Sequence, residues 1–117
     1  MKSLVWISSS YDDLMDLPSD VRNVMGYGLY LAQIGEKHED AKPLKGFKGA
    51  GVVEIVDDFQ GDTYRAVYTV QLESMVYVLH VFQKKSKSGI ATPKQDLDLI
   101  QKRLKLAQEH HRINYEK

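Results

Sequence analysis

Residues 52–83 read VVEIVDDFQGDTYRAVYTVQLESMVYVLHVFQ, and the fold turns on how this stretch divides. Residues 52–59 form the first run with strand character. In 63–72 apolar and polar positions alternate, so that Tyr64, Ala66, Tyr68, Val70 and Leu72 share one face and Arg65, Val67, Thr69 and Gln71 the other. Residues 75–83 are apolar on both faces, the mark of a central strand. Gln60-Gly61-Asp62 and Glu73-Ser74 are short enough to make both connections hairpins. The three strands therefore read as a meander.

Upstream, Leu4-Val5-Trp6-Ile7 reads as a short buried strand. Ser10 is placed to cap a short helix over 11–17, and Pro18-Ser19-Asp20 restarts the chain with residues suited to a helix N-terminus. Val21, Val24, Met25, Gly28, Leu29, Leu31 and Ala32 then fall on one helical face. Gly26 and Gly28 lie inside this helix at a cost of about 1 kcal/mol each, which close packing on a neighbouring helix or the sheet would explain. Gly35 ends it. Residues 36–51 read as a polar connection with four lysines, Pro43 and three glycines. Downstream of the meander, Thr92-Pro93-Lys94-Gln95 has the capping-box form, and Leu97, Ile100, Leu104 and Ala107 make the apolar stripe of a last helix, widened by Leu99 and Leu106. Residues 110–117 are polar and are expected to fray. The predicted order is β-α-α-β-β-β-α in one α+β domain over 1–117, with helices packed on a mostly antiparallel four-stranded sheet.

At 117 residues the chain has room for one core. Its apolar runs are too short to span a bilayer, and Met1-Lys2-Ser3 leads into a strand-like segment, so no membrane partner and a cytoplasmic location are expected. The absence of cysteine removes disulfides and thiolate metal sites. Sixteen basic residues balance sixteen acidic ones, a neutrality unusual in a dedicated binder of naked nucleic acid. Placement of charge therefore matters more than its sum.

Two lysine-rich segments, 42–49 before the meander and 80–87 at its end, flank Arg65 in the middle of a strand. An arginine there must face solvent or hold a partner such as Glu54. In a meander these three places can converge on one concave surface, which would gather Lys42, Lys45, Lys48, Arg65, Lys84, Lys85 and Lys87 into a local field attracting phosphate. Most of the balancing carboxylates read as lying elsewhere: Asp12, Asp13, Asp16 and Asp20 on helices, and Asp57, Asp58 and Asp62 at a hairpin end. His80 is the one strand histidine near the cations; among Val, Leu and Phe, a satisfied sheet-face role is commoner than a ligand role. No metal site or cofactor fingerprint is present: His110 and His111 are adjacent and cannot face one metal, Asp57-Asp58 reads as a polar hairpin end, and Gly26-Tyr27-Gly28 is mid-helix rather than a phosphate cradle.

Taken in order, Leu44-Lys45-Gly46, Tyr64-Arg65-Ala66-Val67-Tyr68, Leu79-His80-Val81-Phe82-Gln83-Lys84-Lys85-Ser86 and Thr92-Pro93 resemble the phage-derived RelE/HigB-like toxins of type II toxin–antitoxin systems. The resemblance spans nearly the whole chain. It implies the RelE fold, ribosome-dependent cleavage of mRNA without metal or cofactor, and an antitoxin partner, often a small helix-turn-helix protein. By the same resemblance Lys45, Arg65, Lys84 and Lys85 match basic active-site positions. Arg65 would bear the phosphate charge, Lys84 or Lys85 would be acid or second clamp, and Lys45 would be base or positioning group. Lys42, Lys48, His80 and Lys87 would contact mRNA or rRNA. Two other readings of the same fold remain open: a ParE-like gyrase inhibitor acting by protein contact, and a non-catalytic module that only binds the antitoxin.

Overall fold

The alternation in 52–83 closes into strands β3 (Val52–Phe59), β4 (Asp62–Thr69) and β5 (Met75–Lys84) of a computed structural model that describes residues 1–47, 49–84 and 92–115. The remaining elements are β1 (Ser3–Trp6), α1 (Ser10–Met15), α2 (Ser19–Gln33), β2 (Ala41–Pro43) and α3 (Lys94–Tyr115). Phe59 pairs with Asp62 across Gln60 and Gly61, both at positive φ (51° and 84°), as a two-residue hairpin turn requires. β4 stops at Thr69, whose hydroxyl donates to the Ala50 carbonyl at 2.8 Å and accepts from the Gln71 N–H at 3.2 Å. The second connection is therefore longer than Glu73-Ser74.

The sheet has five strands in the order β1-β5-β4-β3-β2. β1 runs parallel to β5 and every other pairing is antiparallel. This corrects the expected count of four strands. The additional strand is β2, inside the segment read as a polar connection: Ala41, Lys42 and Pro43 pair with Ile55, Glu54 and Val53. Its composition hides it. Only Ala41 is buried, and proline is tolerated because the strand lies at a sheet edge. At the opposite edge the Lys2 N–H donates to the Gln33 carbonyl at 2.9 Å, and Gln33 Nε2 donates to the Lys2 carbonyl at 2.8 Å, tying β1 to the end of α2.

Helices cover both faces. Val21, Met25, Leu29 and Ala32 of α2, with Leu14 of α1, pack on Ile55, Ala66, Tyr68, Val76 and Val78. Ile100, Leu104 and Ala107 of α3 pack on Val52, Val67, Tyr77 and Leu79. Each large apolar side chain so buried contributes about 1.5–3 kcal/mol. β5, apolar on both faces, lies between β1 and β4 as its composition predicts. One irregularity matters for the site. Val67 pairs with His80 but Tyr68 pairs with Val78, so Leu79 is an extra residue. The bulge turns Leu79 and His80 both toward α3.

The tail expected to fray is helical through Tyr115. His111 is buried, with Nε2 3.1 Å from the Glu73 carbonyl, and His110 Nδ1 lies 2.9 Å from the Tyr77 hydroxyl. Among the described residues no helix is long and apolar enough to cross a membrane.

The two helix glycines differ. A Cβ on Gly28 would lie 2.5 Å from Cδ1 of the fully buried Ile55, whereas one on Gly26 meets nothing within 4 Å. Gly26→Ala is therefore expected to raise the unfolding free energy by about 1 kcal/mol. Gly28→Ala should forfeit that gain to the displacement of Ile55. Urea denaturation of the two variants beside the parent checks both; equal stabilisation would refute the packing argument for Gly28.

Candidate functional site

The face of the sheet beneath α3 carries two groups of polar side chains. The first is built on β3 and β4. Glu54 pairs in register with Val67, and Arg65 with Val56, which makes Glu54 and Arg65 diagonal neighbours on one face. Arg65 Nη1 donates to Glu54 Oε1 at 2.7 Å, and each residue is 3% exposed. Lys42, directly opposite Glu54 on β2, brings its exposed Nζ to 3.8 Å from Glu54 Oε1. The Thr92 hydroxyl lies 3.4 Å from Glu54 Oε2 and 3.4 Å from Arg65 Nη1. Thr92 is thus turned to the ion pair, where the sequence suggested a helix cap; the Pro93 carbonyl accepts the first helical N–H groups of α3, from Asp96 and Leu97.

Over this group opens a cavity of about 400 Å³ lined by Lys42, Pro43, Leu44, Lys45, Gly46, Glu54, Arg65, Thr92 and Leu97. Lys45 is held at its rim by a tight turn: Leu44 is buried and donates its N–H to the Val52 carbonyl at 3.0 Å, and Gly46 takes φ +95°. The lining sets three cations against one carboxylate. Pro43, Leu44 and Leu97 supply its apolar wall. Such a cavity suits a ligand with both a phosphate and an apolar or aromatic part.

The second group surrounds His80. Its Nε2 lies 2.9 Å from Asp96 Oδ1, its Nδ1 3.4 Å from Arg103 Nη1, and its ring stacks on Phe82 with centroids 4.4 Å apart. Arg103 also donates to the Leu79 carbonyl at 3.0 Å and to Ser9 Oγ at 3.1 Å, and Ser9 donates to Asp13 at 2.7 Å. Arginine can only donate, so Nδ1 is the acceptor and Nε2 carries the proton given to Asp96. Burial pushes the His80 imidazole below its ordinary value, against the pull of Asp96 upward. His80 is a satisfied residue beneath α3, outside the cavity lining.

Of the predicted site residues, the structure brings Lys42, Lys45 and Arg65 together. Lys84 is buried at the end of β5, opposite Thr63 and two pairs from Arg65, without lining the cavity. Lys48, Lys85 and Lys87 lie outside the described residues. Glu54 sits among the cations as the partner of Arg65, one of the two placements the sequence allowed for that arginine. Sequence reasoning named Glu54 only as a partner for Arg65 and did not find Thr92, Leu97, Asp96 or Arg103. Two signals were available: the i, i+2 register of 52–59, which puts Glu54 on the Arg65 face, and the i, i+7 spacing of Asp96 and Arg103 on one helix. Among the described residues no group of three or more His, Asp or Glu is placed to hold a metal ion.

Two expectations follow. Removing one partner of a buried ion pair strands the other, so Glu54→Leu should lose about 3–5 kcal/mol while Glu54→Leu with Arg65→Met regains most of it; a double variant no better than the single one would count against the pair. For His80, the unfolded chain takes up its proton near the ordinary value of 6.5, before the folded one does. Stability should therefore fall as pH drops below about 6.5, and His80→Gln should flatten that fall in urea melts across this range. An unchanged slope would remove His80 as its source.

No curated protein matches the chain. Residues 12–105, from α1 into α3, match the family model described as phage-derived protein Gp49-like (DUF891), and the chain belongs to that family.

Proposed function

We propose that this Gp49-like protein is the toxin of a toxin–antitoxin pair, a RelE/HigB-type endoribonuclease that cuts mRNA on the ribosome without a metal. The observation that carries the reading is the convergence of Lys42, Lys45 and Arg65 with one buried carboxylate in a single cavity. The ordered resemblance along the chain and its membership of a phage-derived family support it. In this reading the partners are mRNA, the ribosome and an antitoxin, a small helix-turn-helix protein.

Cleavage needs no external nucleophile. The ribose 2′-oxygen attacks the adjacent phosphorus, its proton passes to a base, the P–O5′ bond breaks, and the leaving 5′ oxygen takes a proton. Glu54 is the base best suited by position, since a carboxylate accepts a proton at neutral pH and an ammonium does not. Arg65 holds Glu54 in place and presents positive charge to the phosphorane. Lys45 and Lys42, both exposed at the rim, hold the backbone, and the Lys45 ammonium can supply the proton to the leaving oxygen. Lys84 and the neighbouring Lys85 remain candidates for a second clamp through the resemblance.

One observation favours a second reading. Glu54 and Arg65 are each 3% exposed and bonded to one another, as a purely structural pair would be. On that reading the chain is a non-catalytic module that binds an antitoxin.

Tightly controlled expression in a bacterial host separates the readings. Growth arrest with new mRNA 5′ ends supports the nuclease, arrest with a DNA-damage response supports a gyrase inhibitor, and no arrest supports the binding module. For the nuclease, Lys45→Ala should slow cleavage about 10²-fold or more with an unchanged melting temperature, because Lys45 is exposed and buries little. A Lys45→Ala protein that cleaves at the parent rate would remove this cavity from the mechanism.

A further inference from the structure

The cavity over β3 and β4 carries more positive charge than the ion pair at its floor uses. Arg65 and Glu54 are buried there and neutralise one another. Lys42 reaches the same Glu54 oxygen only at 3.8 Å, with its side chain 58% exposed, and Lys45 has no ion-pair partner among the described residues. Both line the cavity, so two ammonium groups are left to meet a ligand. A phosphate monoester carries close to two negative charges at neutral pH, whereas the diester inside an RNA strand carries one. The phosphorane of RNA cleavage is richer in negative charge than the diester as well, so a lining that suits it also suits the monoester.

Size and shape narrow the ligand further. At about 400 Å³ the cavity is near the lower end for small-molecule sites, which suits one nucleotide rather than a length of strand. Pro43, Leu44 and Leu97 give it an apolar wall, the kind of surface that holds a base withdrawn from its neighbours. The site is formed in the chain by itself. Leu44 is buried and bonded to the Val52 carbonyl, Gly46 closes the turn that carries Lys45, and Leu97 donates its N–H to the Pro93 carbonyl in the first turn of α3. Little ordering is left for a ligand to induce.

We infer that this cavity is a one-nucleotide site for the cut end of RNA, a nucleoside bearing a terminal 3′-phosphate: the phosphate dianion lies between Lys42 and Lys45, and the base rests on Pro43, Leu44 and Leu97. The 2′,3′-cyclic phosphate formed by cleavage reaches this state when water adds at phosphorus, the P–O2′ bond breaks and the 2′ oxygen takes the proton. Affinity for the cut end is built into the free protein and needs no ribosome. The product therefore competes with uncut RNA, whose phosphate carries less charge. The identity of the ligand as a product rests on the nuclease reading, while the cavity, its charge and its wall do not.

Titration of the ¹⁵N-labelled protein without ribosomes tests it, at about pH 7.5, where a monoester is a dianion. Adenosine 3′-monophosphate is the probe and is expected to give saturable shifts confined to the residues lining the cavity. Adenosine and inorganic phosphate each carry half of the recognition, and each should bind at least about tenfold more weakly. Adenosine 2′,3′-cyclic phosphate, a monoanion, should be weaker by about tenfold, and adenosine 5′-monophosphate should also be weaker than the probe. Lys42→Ala should weaken the probe about tenfold with an unchanged circular dichroism spectrum, because the side chain is exposed. The proposal is overturned by no saturable shift, by shifts centred outside the cavity, by any control that binds as tightly as the probe, or by undiminished binding in Lys42→Ala. Binding of the probe by a protein that cuts no mRNA supports the site and overturns the nuclease reading. Cleavage by a protein that does not bind the probe overturns the site alone.

Discussion

The ion pair of Glu54 and Arg65, 2.7 Å apart and buried at the floor of the cavity, is the constraint around which one side of the molecule is arranged. Two charges taken from water are tolerated only when each finds good geometry and further polar contacts. Those contacts come from two separate places. Lys42 arrives because β2 pairs with β3 at Glu54, and Thr92 arrives because the chain enters α3 above Arg65. The β2 edge strand, the entry to α3 and the centre of the meander are thereby drawn toward one point. The cavity is the space left where these elements converge over the pair.

Most of the fold was legible because it rests on local patterns. The alternation in 63–72, the double-faced apolarity of 75–83 and the Leu97–Ile100–Leu104 stripe each report on burial residue by residue, and burial decides the layers. β2 was not legible. A strand of three residues with a lysine and a proline carries no periodicity, and only its pairing with β3 makes it a strand. The end of α3 was misread for a similar reason. His110 and His111 look like tail residues, but their partners, Tyr77 and the Glu73 carbonyl, are 33 and 38 residues away.

The candidate site was legible to the extent that it consists of cations brought together by a meander. Lys42, Lys45 and Arg65 were found this way. Glu54 was harder, since a carboxylate opposite an arginine reads first as neutralisation. His80 shows a different limit. Regular alternation would put residue 80 on the same face as Val78, toward α2, but the extra residue at Leu79 sends it to the α3 side. Arg103 then bonds the Leu79 carbonyl and faces His80, so the bulge and the buried arginine stabilise each other. Neither residue alone announces the bulge; the bulge becomes apparent only when strand register and helix face are considered together.

Zero net charge conceals a local concentration of cations. Beneath α3 the cavity gathers Lys42, Lys45 and Arg65 around one carboxylate. Fields of exposed charges fade within about 10 Å at ordinary ionic strength, so this face presents its own sign to a partner at close range whatever the total. A uniformly basic chain would attract phosphate over its whole surface. A neutral chain with its cations gathered by the meander attracts it at one place, and the apolar wall beside them adds a demand on shape that charge alone would not make.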